Sequence, residues 1–277
     1  MIHAMIAFIL CGAAAPVAAR HVAASAMVAE PCAGLVIAVP DSVRAYFGAL
    51  AELAQGAARP APPPELKAYQ AANAKARKSD WADLCRYRAD NERRSADSAR
   101  PPRIVFMGDS ITELWALADP ALFSADIVNR GISGQTSAQM LLRFQADVIA
   151  LRPAKVHILA GTNDIAGNAG PTSAAQFRDN IRAMVALAKA NGIGVILGAI
   201  PPAGRFAWKP GIDPAPRIVD LNAWLKAFAQ AEEITFVDYH EVISDGSRSI
   251  DGRFTFDGVH PNRIGYGEMK RALQRNF

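Results

Sequence analysis

At 277 residues, about half of them apolar and a fifth charged, the chain has enough apolar mass for a sizeable core, and one α/β domain with an appendage is its natural organisation. The formal net charge of +4 is scattered, with "KARKSD" as the densest short run. That pattern describes a solvated surface and excludes a basic recognition helix with interleaved aromatics, so no nucleic-acid partner is expected.

The first segment, "MIHAMIAFILCGAAAPVAARHVAASA", has an apolar run from Ala4 to Ala15 that is too short to span a bilayer. Val17 and Ala19 occupy the small-residue positions ahead of a signal-peptidase cut before Arg20, and Ala24 and Ala26 offer a second site. The expectation is an exported protein, periplasmic or secreted, with a signal peptide over 1–19 (cleavage as late as 26) and no stable membrane anchor afterwards. Bulky Leu10 ahead of Cys11 argues against a lipoprotein. Cleavage would leave Cys32 and Cys85, either a disulfide tying the N-terminal segment to the region before the core or two buried thiols.

Residues 41–56, "DSVRAYFGALAELAQG", read as a helix with Asp41 or Ser42 as N-cap and Gly56 at its far end. "RPAPPPE" follows as a stiff extended linker. From Glu65 to about Arg94 the chain is charged and helix-prone, with Trp81 and Tyr87 as anchors, so 27–100 is read as a helical extension.

Over 101–277 strands and helices alternate. Strands are expected at Ile104–Met107, Ile127–Val128, "KVHILAG", "GVILGAI" and "ITFVDYH". Between them, Leu141, Phe144, Val148 and Leu151 share one helical face, and Phe177, Ile181, Val185 and Ala188 share another before Gly192. A further helix runs from about Pro216 to Ala231, and the chain ends in one after Pro261. The alternation implies a three-layer α/β/α sandwich on a five-stranded parallel sheet.

Chemistry concentrates where these strands end. "IVFMGDSIT" runs a buried strand into Gly108, Asp109 and Ser110, at the edge where open α/β sheets bind ligands. A serine hydroxyl needs a base. His157 lies within a strand and reads as a core residue, while His240, at the end of "VDYH", is a reserve. His260, in "FDGVHP", stands three residues after Asp257, which can hold one imidazole nitrogen while the other faces the serine. Oxyanion donors are available from the Ser110 amide, from Gly131 and Gly134 in "NRGISGQTS", and from the side chain of Asn163 in "AGTNDIAG". Read singly, those glycines can be turn residues and Asn163 a cap.

Together, "FMGDSIT", "NRGISGQT", "GTND" and "DGVHP" resemble the four blocks of the SGNH (GDSL-type) hydrolase superfamily, in order, from about Pro102 to the C-terminus. The nearest subgroup is the lysophospholipase-like and platelet-activating-factor-acetylhydrolase-like set of exported bacterial esterases. "SDWADLCRYRADN" is similar to an N-terminal feature of some bacterial members. The resemblance implies a flavodoxin-like fold, Ser110 as nucleophile, His260 as base and Asp257 as its orienting acid. It further implies an oxyanion hole of the Ser110 and Gly134 amides and the Asn163 side chain, a small-molecule acyl ester substrate, and no cofactor or metal. Gly134 is preferred to Gly131 because "SGQT" matches the block better than "RGIS". Ile111 replaces the leucine of the family's nickname, and Asp109 organises the loop.

Rival scaffolds fit less well. An α/β-hydrolase needs a glycine where Thr112 stands, and a two-metal phosphoesterase is poorly supplied with histidine ligands. A non-catalytic carbohydrate- or lipid-binding relative would have lost the serine or histidine, and neither is lost. The same machinery also fits acyl transfer or carbohydrate O-deacetylation. The segment "PPAGRFAWKPGIDPAP" is long enough to border the site. There Phe206 and Trp208 can stack on a sugar or acyl chain, and Arg205 or Lys209 can meet an anion; surface packing explains them equally. With no long apolar lid, short acyl chains are expected.

Overall fold

The computed structural model describes residues 30–97, 101–124 and 126–275. The expected signal peptide lies outside these residues. A compact unit begins at Cys32.

Three short helices come first: α1 (Asp41–Leu50), α2 (Glu65–Ala76) and α3 (Arg88–Ala96). The first stops well before the expected Gly56. Its following carbonyls are taken by the C-terminal region instead: Arg263 N–H donates to Ala51 O, and the Asn262 side chain donates to Leu53 O. Trp81, expected as an anchor, is 45% exposed, and its carbonyl accepts from Gln139 Nε2. Tyr87 does anchor, donating its hydroxyl to Gly131 O at 2.5 Å. A disulfide joins Cys32 to Cys85, their Cα atoms 5.3 Å apart.

The α/β part follows as β1 (Ile104–Gly108), α4 (Ser110–Ala118), β2 (Ile127–Gly131), α5 (Ser137–Asp147), β3 (Lys155–Leu159), α6 (Thr162–Ala166), α7 (Ala174–Ala190), β4 (Gly194–Gly198), α8 (Ala215–Ala231), β5 (Thr235–Val237), α9 (Tyr239–Ile243) and α10 (Arg263–Gln274). The strand expected over "ITFVDYH" ends at Val237, because Asp238 caps α9 by accepting from Glu241 N. His240 therefore sits in a helix rather than at a strand end.

All strands are parallel, in the order β2-β1-β3-β4-β5. This flavodoxin-like order places the switch point at β1, between β2 and β3. Side chains of β1 alternate between two cores. Val105 and Met107 pack with Phe144 of α5, Ile181 of α7 and Leu225 of α8. Ile104 and Phe106 pack on the other face with Leu50 of α1, Trp115 of α4 and Met269 of α10. The sheet is thus covered on both sides. Among the described residues, no helix is long and apolar enough to cross a membrane.

Candidate active site

The β1–α4 turn is tight because Gly108 has no space for a side chain: a Cβ there would lie 2.0 Å from Thr112 Oγ1. Asp109 caps α4, its Oδ1 accepting from Ile111 N at 2.9 Å, so Ser110 begins the helix with a half-buried side chain.

On the other side, the loop after α9 carries Asp257 and His260. Gly258, at φ +88°, makes the turn between them. Thr255 Oγ1 staples this turn, accepting from Gly258 N at 2.9 Å and donating to His260 O at 2.7 Å. The result is a continuous relay. His260 Nε2 lies 2.9 Å from Ser110 Oγ, and His260 Nδ1 lies 2.7 Å from Asp257 Oδ2. The second carboxylate oxygen of Asp257 accepts from the N–H groups of Val259 (2.9 Å) and His260 (2.8 Å), which fixes the carboxylate plane.

Burial alone would depress the His260 imidazolium. The hydrogen bond and charge of Asp257, joined by the charge of Asp109, outweigh it and hold the ring above its ordinary range. Burial likewise raises Asp257, but its bonds to His260 and Val259 and the His260 charge keep it below the usual carboxylate range. A hydroxyl, a proton-accepting imidazole and a carboxylate that fixes the tautomer can together generate an oxygen nucleophile.

The three candidate donors, Ser110, Gly134 and Asn163, follow the carboxyl ends of β1, β2 and β3. Among the described residues, the N–H groups of Ser110 and Gly134 find no protein acceptor. Asn163, in α6, is held by both ends of its amide: Oδ1 accepts from Asn168 Nδ2 at 2.5 Å, and Nδ2 donates to Asp109 Oδ2 at 3.1 Å. Its amide has a second N–H to offer. Asp109 is fully buried, and burial pushes its carboxyl up to about 6 despite the Ile111 bond and the His260 charge. The two glycines of the β2 loop are unlike. Gly131 N–H donates to Asn129 Oδ1 and its carbonyl accepts from Tyr87, while a Cβ there would fall 2.2 Å from Glu113 N. Gly134 sits at φ +82°, and a Cβ there would meet only Arg77 Nη1, at 3.7 Å.

His157 and His240 are bonded elsewhere or shielded. His157 stacks on Phe106 with its Nε2 2.8 Å from Tyr239 OH, and burial drops its pKa to about 3. Burial also lowers His240. Phe206 is fully buried under Trp208 (ring centroids 5.0 Å apart), which rules out its stacking on a ligand. Trp208 is 42% exposed, and its Nε1 donates to Asn168 Oδ1 at 3.1 Å. Asn168, unremarked in the sequence, thereby ties Trp208 to Asn163; only its place just past α6 could have drawn notice.

Known proteins agree with this architecture. Residues 106–267, more than half of the chain, match the GDSL-like Lipase/Acylhydrolase family. A Bacteroides fragilis protein assigned as an acylhydrolase is 46% identical, with a TM-score of 0.66 over 70% of this chain and 95% of its own. A GDSL-like lipase of Bacteroides thetaiotaomicron is 42% identical, with a TM-score of 0.67 over 70% of this chain and 96% of its own. Esterase TesA of Pseudomonas aeruginosa is 31% identical over 49% of this chain and 61% of its own. The chain spans less than two thirds of the length of the curated relatives it matches. It belongs to the GDSL-like Lipase/Acylhydrolase family.

Proposed function

We propose that the chain is a serine-dependent carboxylic ester hydrolase in which Ser110, His260 and Asp257 are the catalytic residues. The observation carrying this reading is the unbroken Ser110–His260–Asp257 relay at the carboxyl edge of β1. Neutral His260 takes the Ser110 proton as Oγ attacks the ester carbonyl, and ionised Asp257 stabilises the imidazolium that forms. The oxyanion is met by the Ser110 and Gly134 amides and the spare N–H of Asn163. Collapse expels the alcohol, which leaves with the proton from His260, and the acyl group stays on Ser110 Oγ. Water, deprotonated by His260, then attacks the acyl-enzyme, and carboxylic acid and free serine result.

Short acyl groups, acetyl above all, are the preferred cargo. Beside the Asp257–His260 turn, a cavity of about 380 Å³ brings Gln55, Arg205, Asp245 and Ser249 together with Ile250 and three glycines, and its four polar side chains suit a polar alcohol part better than a long chain. Carbohydrate O-deacetylation is the second reading. The exposed face of Trp208, tied through Asn168 to Asn163, supports it, since an aromatic face suits a sugar ring. The hydrolase unit runs over 101–277 and the extension over 27–100. Export is favoured by the small-residue cleavage pattern and by the Cys32–Cys85 disulfide, a bond that persists in oxidising compartments.

The test is hydrolysis of a p-nitrophenyl acyl series, acetyl to palmitoyl, by wild type and Ser110→Ala. Turnover in wild type that is highest for short chains and lost in the variant supports the proposal. Turnover surviving in the variant overturns the nucleophile, and a preference for palmitoyl overturns the chain-length reading.

A further inference from the structure

The residue that aims the Gly134 amide comes from the extension, outside the stretch that matches the family. We propose that Arg77 is a positioning residue for oxyanion stabilisation; this rests on the reading of Gly134 as an oxyanion donor. Residues Ile132–Gln135 form a turn closed by Gln135 N–H to Ile132 O at 3.3 Å. Gly134 is its third residue, at φ +82°, which is the type II form. Type I and type II turns differ by rotation of their central peptide, and glycine accepts either. Here the central peptide is Ser133–Gly134.

A trans peptide is planar, with its C=O and N–H pointing in opposite directions. Whatever holds the Ser133 carbonyl therefore aims the Gly134 N–H. Arg77 Nη2 donates to Ser133 O at 2.9 Å. The same guanidinium is braced from behind, Nε lying 3.1 and 2.9 Å from the two carboxylate oxygens of Asp83. Asp83 also accepts from Gln135 Nε2 at 3.1 Å, so the bracket closes on both sides of Gly134. From the other side, Glu113 accepts from Ser133 N at 2.8 Å and from Ser133 Oγ at 2.6 Å. One planar fork thus spans Asp83 and the Ser133 carbonyl at once, which a lysine ammonium on its flexible stem does not reproduce. Without it, the turn is free to flip and the Gly134 N–H to turn away from a developing oxyanion.

The Arg77 side chain is 35% exposed, so its replacement leaves the core intact. The experiment compares Arg77→Met, Arg77→Lys and Asn163→Ala with wild type in the full chain. It measures kcat and KM on p-nitrophenyl acetate, affinity for an alkyl boronic acid whose tetrahedral adduct carries an oxyanion-like oxygen, and Tm. For Arg77→Met, kcat and boronate affinity should fall together by at least about 10-fold, towards the 10²–10³ that loss of one oxyanion donor costs. KM and Tm should stay near wild type, and Arg77→Lys should fall between. If Arg77→Met keeps wild-type kcat while Asn163→Ala loses about 10² or more, the positioning role fails and the oxyanion reading stands. If Asn163→Ala also keeps wild-type kcat, the oxyanion reading itself fails and takes this proposal with it. A loss in Arg77→Met confined to Tm or KM marks a merely structural contact and also overturns the proposal.

Discussion

Replacing Asp257 by Asn is a nearly isosteric change whose consequence is set by three hydrogen bonds. One carboxylate oxygen accepts from two backbone N–H groups, those of Val259 and His260, and the other faces His260 Nδ1. An asparagine must keep its only carbonyl oxygen on the two backbone donors, since turning its NH₂ towards them would leave both unsatisfied. The NH₂ then faces His260 Nδ1 and makes that nitrogen an acceptor. The ring's proton is forced onto Nε2, which now donates towards Ser110 instead of accepting from it. The base is lost although the geometry is kept, and kcat should fall by about 10³–10⁴, or about 4–5.5 kcal/mol of transition-state stabilisation. The assay is kcat on p-nitrophenyl acetate, with circular dichroism to show an unchanged fold. A variant that retains a third of wild-type kcat would show that Asp257 does not set the His260 tautomer.

Three further outcomes follow from the site and its supports. Because His260 must be neutral to act as base, kcat/KM should rise with pH, with its half-point above the ordinary imidazole value of about 6.5, since Asp257 and Asp109 together override the effect of burial. Asp109, pushed up to about 6, loses its charge in the same window and loosens Asn163, so the acid limb should be steeper than one ionisation; a flat profile from about pH 5 to 9 would contradict both statements. The Cys32–Cys85 bond closes a loop with a sequence separation of 53, so paired Cys→Ser replacement should cost about 2–4 kcal/mol in urea unfolding, and an unchanged midpoint would remove its structural role. Gly131→Ala would drive a Cβ to 2.2 Å from the Glu113 backbone; it should destabilise the fold by at least about 1–3 kcal/mol, visible as a lower Tm, whereas a wild-type Tm would mean that β2 and α4 are less closely packed than described.

Much of this architecture is legible in the sequence because its signals are local. The apolar run Ile104–Met107 followed by Gly108 and Asp109 specifies a buried strand, a tight turn and an N-cap, and each of these is met within a few residues. The Asp257–His260 pair is similar, since Gly258 and Thr255 complete its turn from inside the same stretch. What escapes a linear reading is settled by partners far away in the chain. α1 ends early because Arg263 and Asn262 take carbonyls just beyond it. Trp81 and Tyr87 read alike as anchors, yet only the tyrosine hydroxyl meets a β2 carbonyl. The alternatives for Phe206 separate only once Trp208 lies over it. Asn168 and Arg77 each have one near partner, Asn163 and Asp83, but what they do depends on a distant one as well: Trp208 for Asn168 and the Ser133 carbonyl for Arg77.

Activation of the Ser110 hydroxyl by His260 is the step on which the proposed function depends. Its most direct test is covalent capture: the full chain is treated with an alkyl fluorophosphonate, digested and mapped by mass spectrometry, alongside His260→Ala. Stoichiometric phosphonylation confined to Ser110, and slowed at least about 10²-fold without the histidine, is the predicted result. Labelling of another residue, or labelling of Ser110 at an equal rate in His260→Ala, would contradict it.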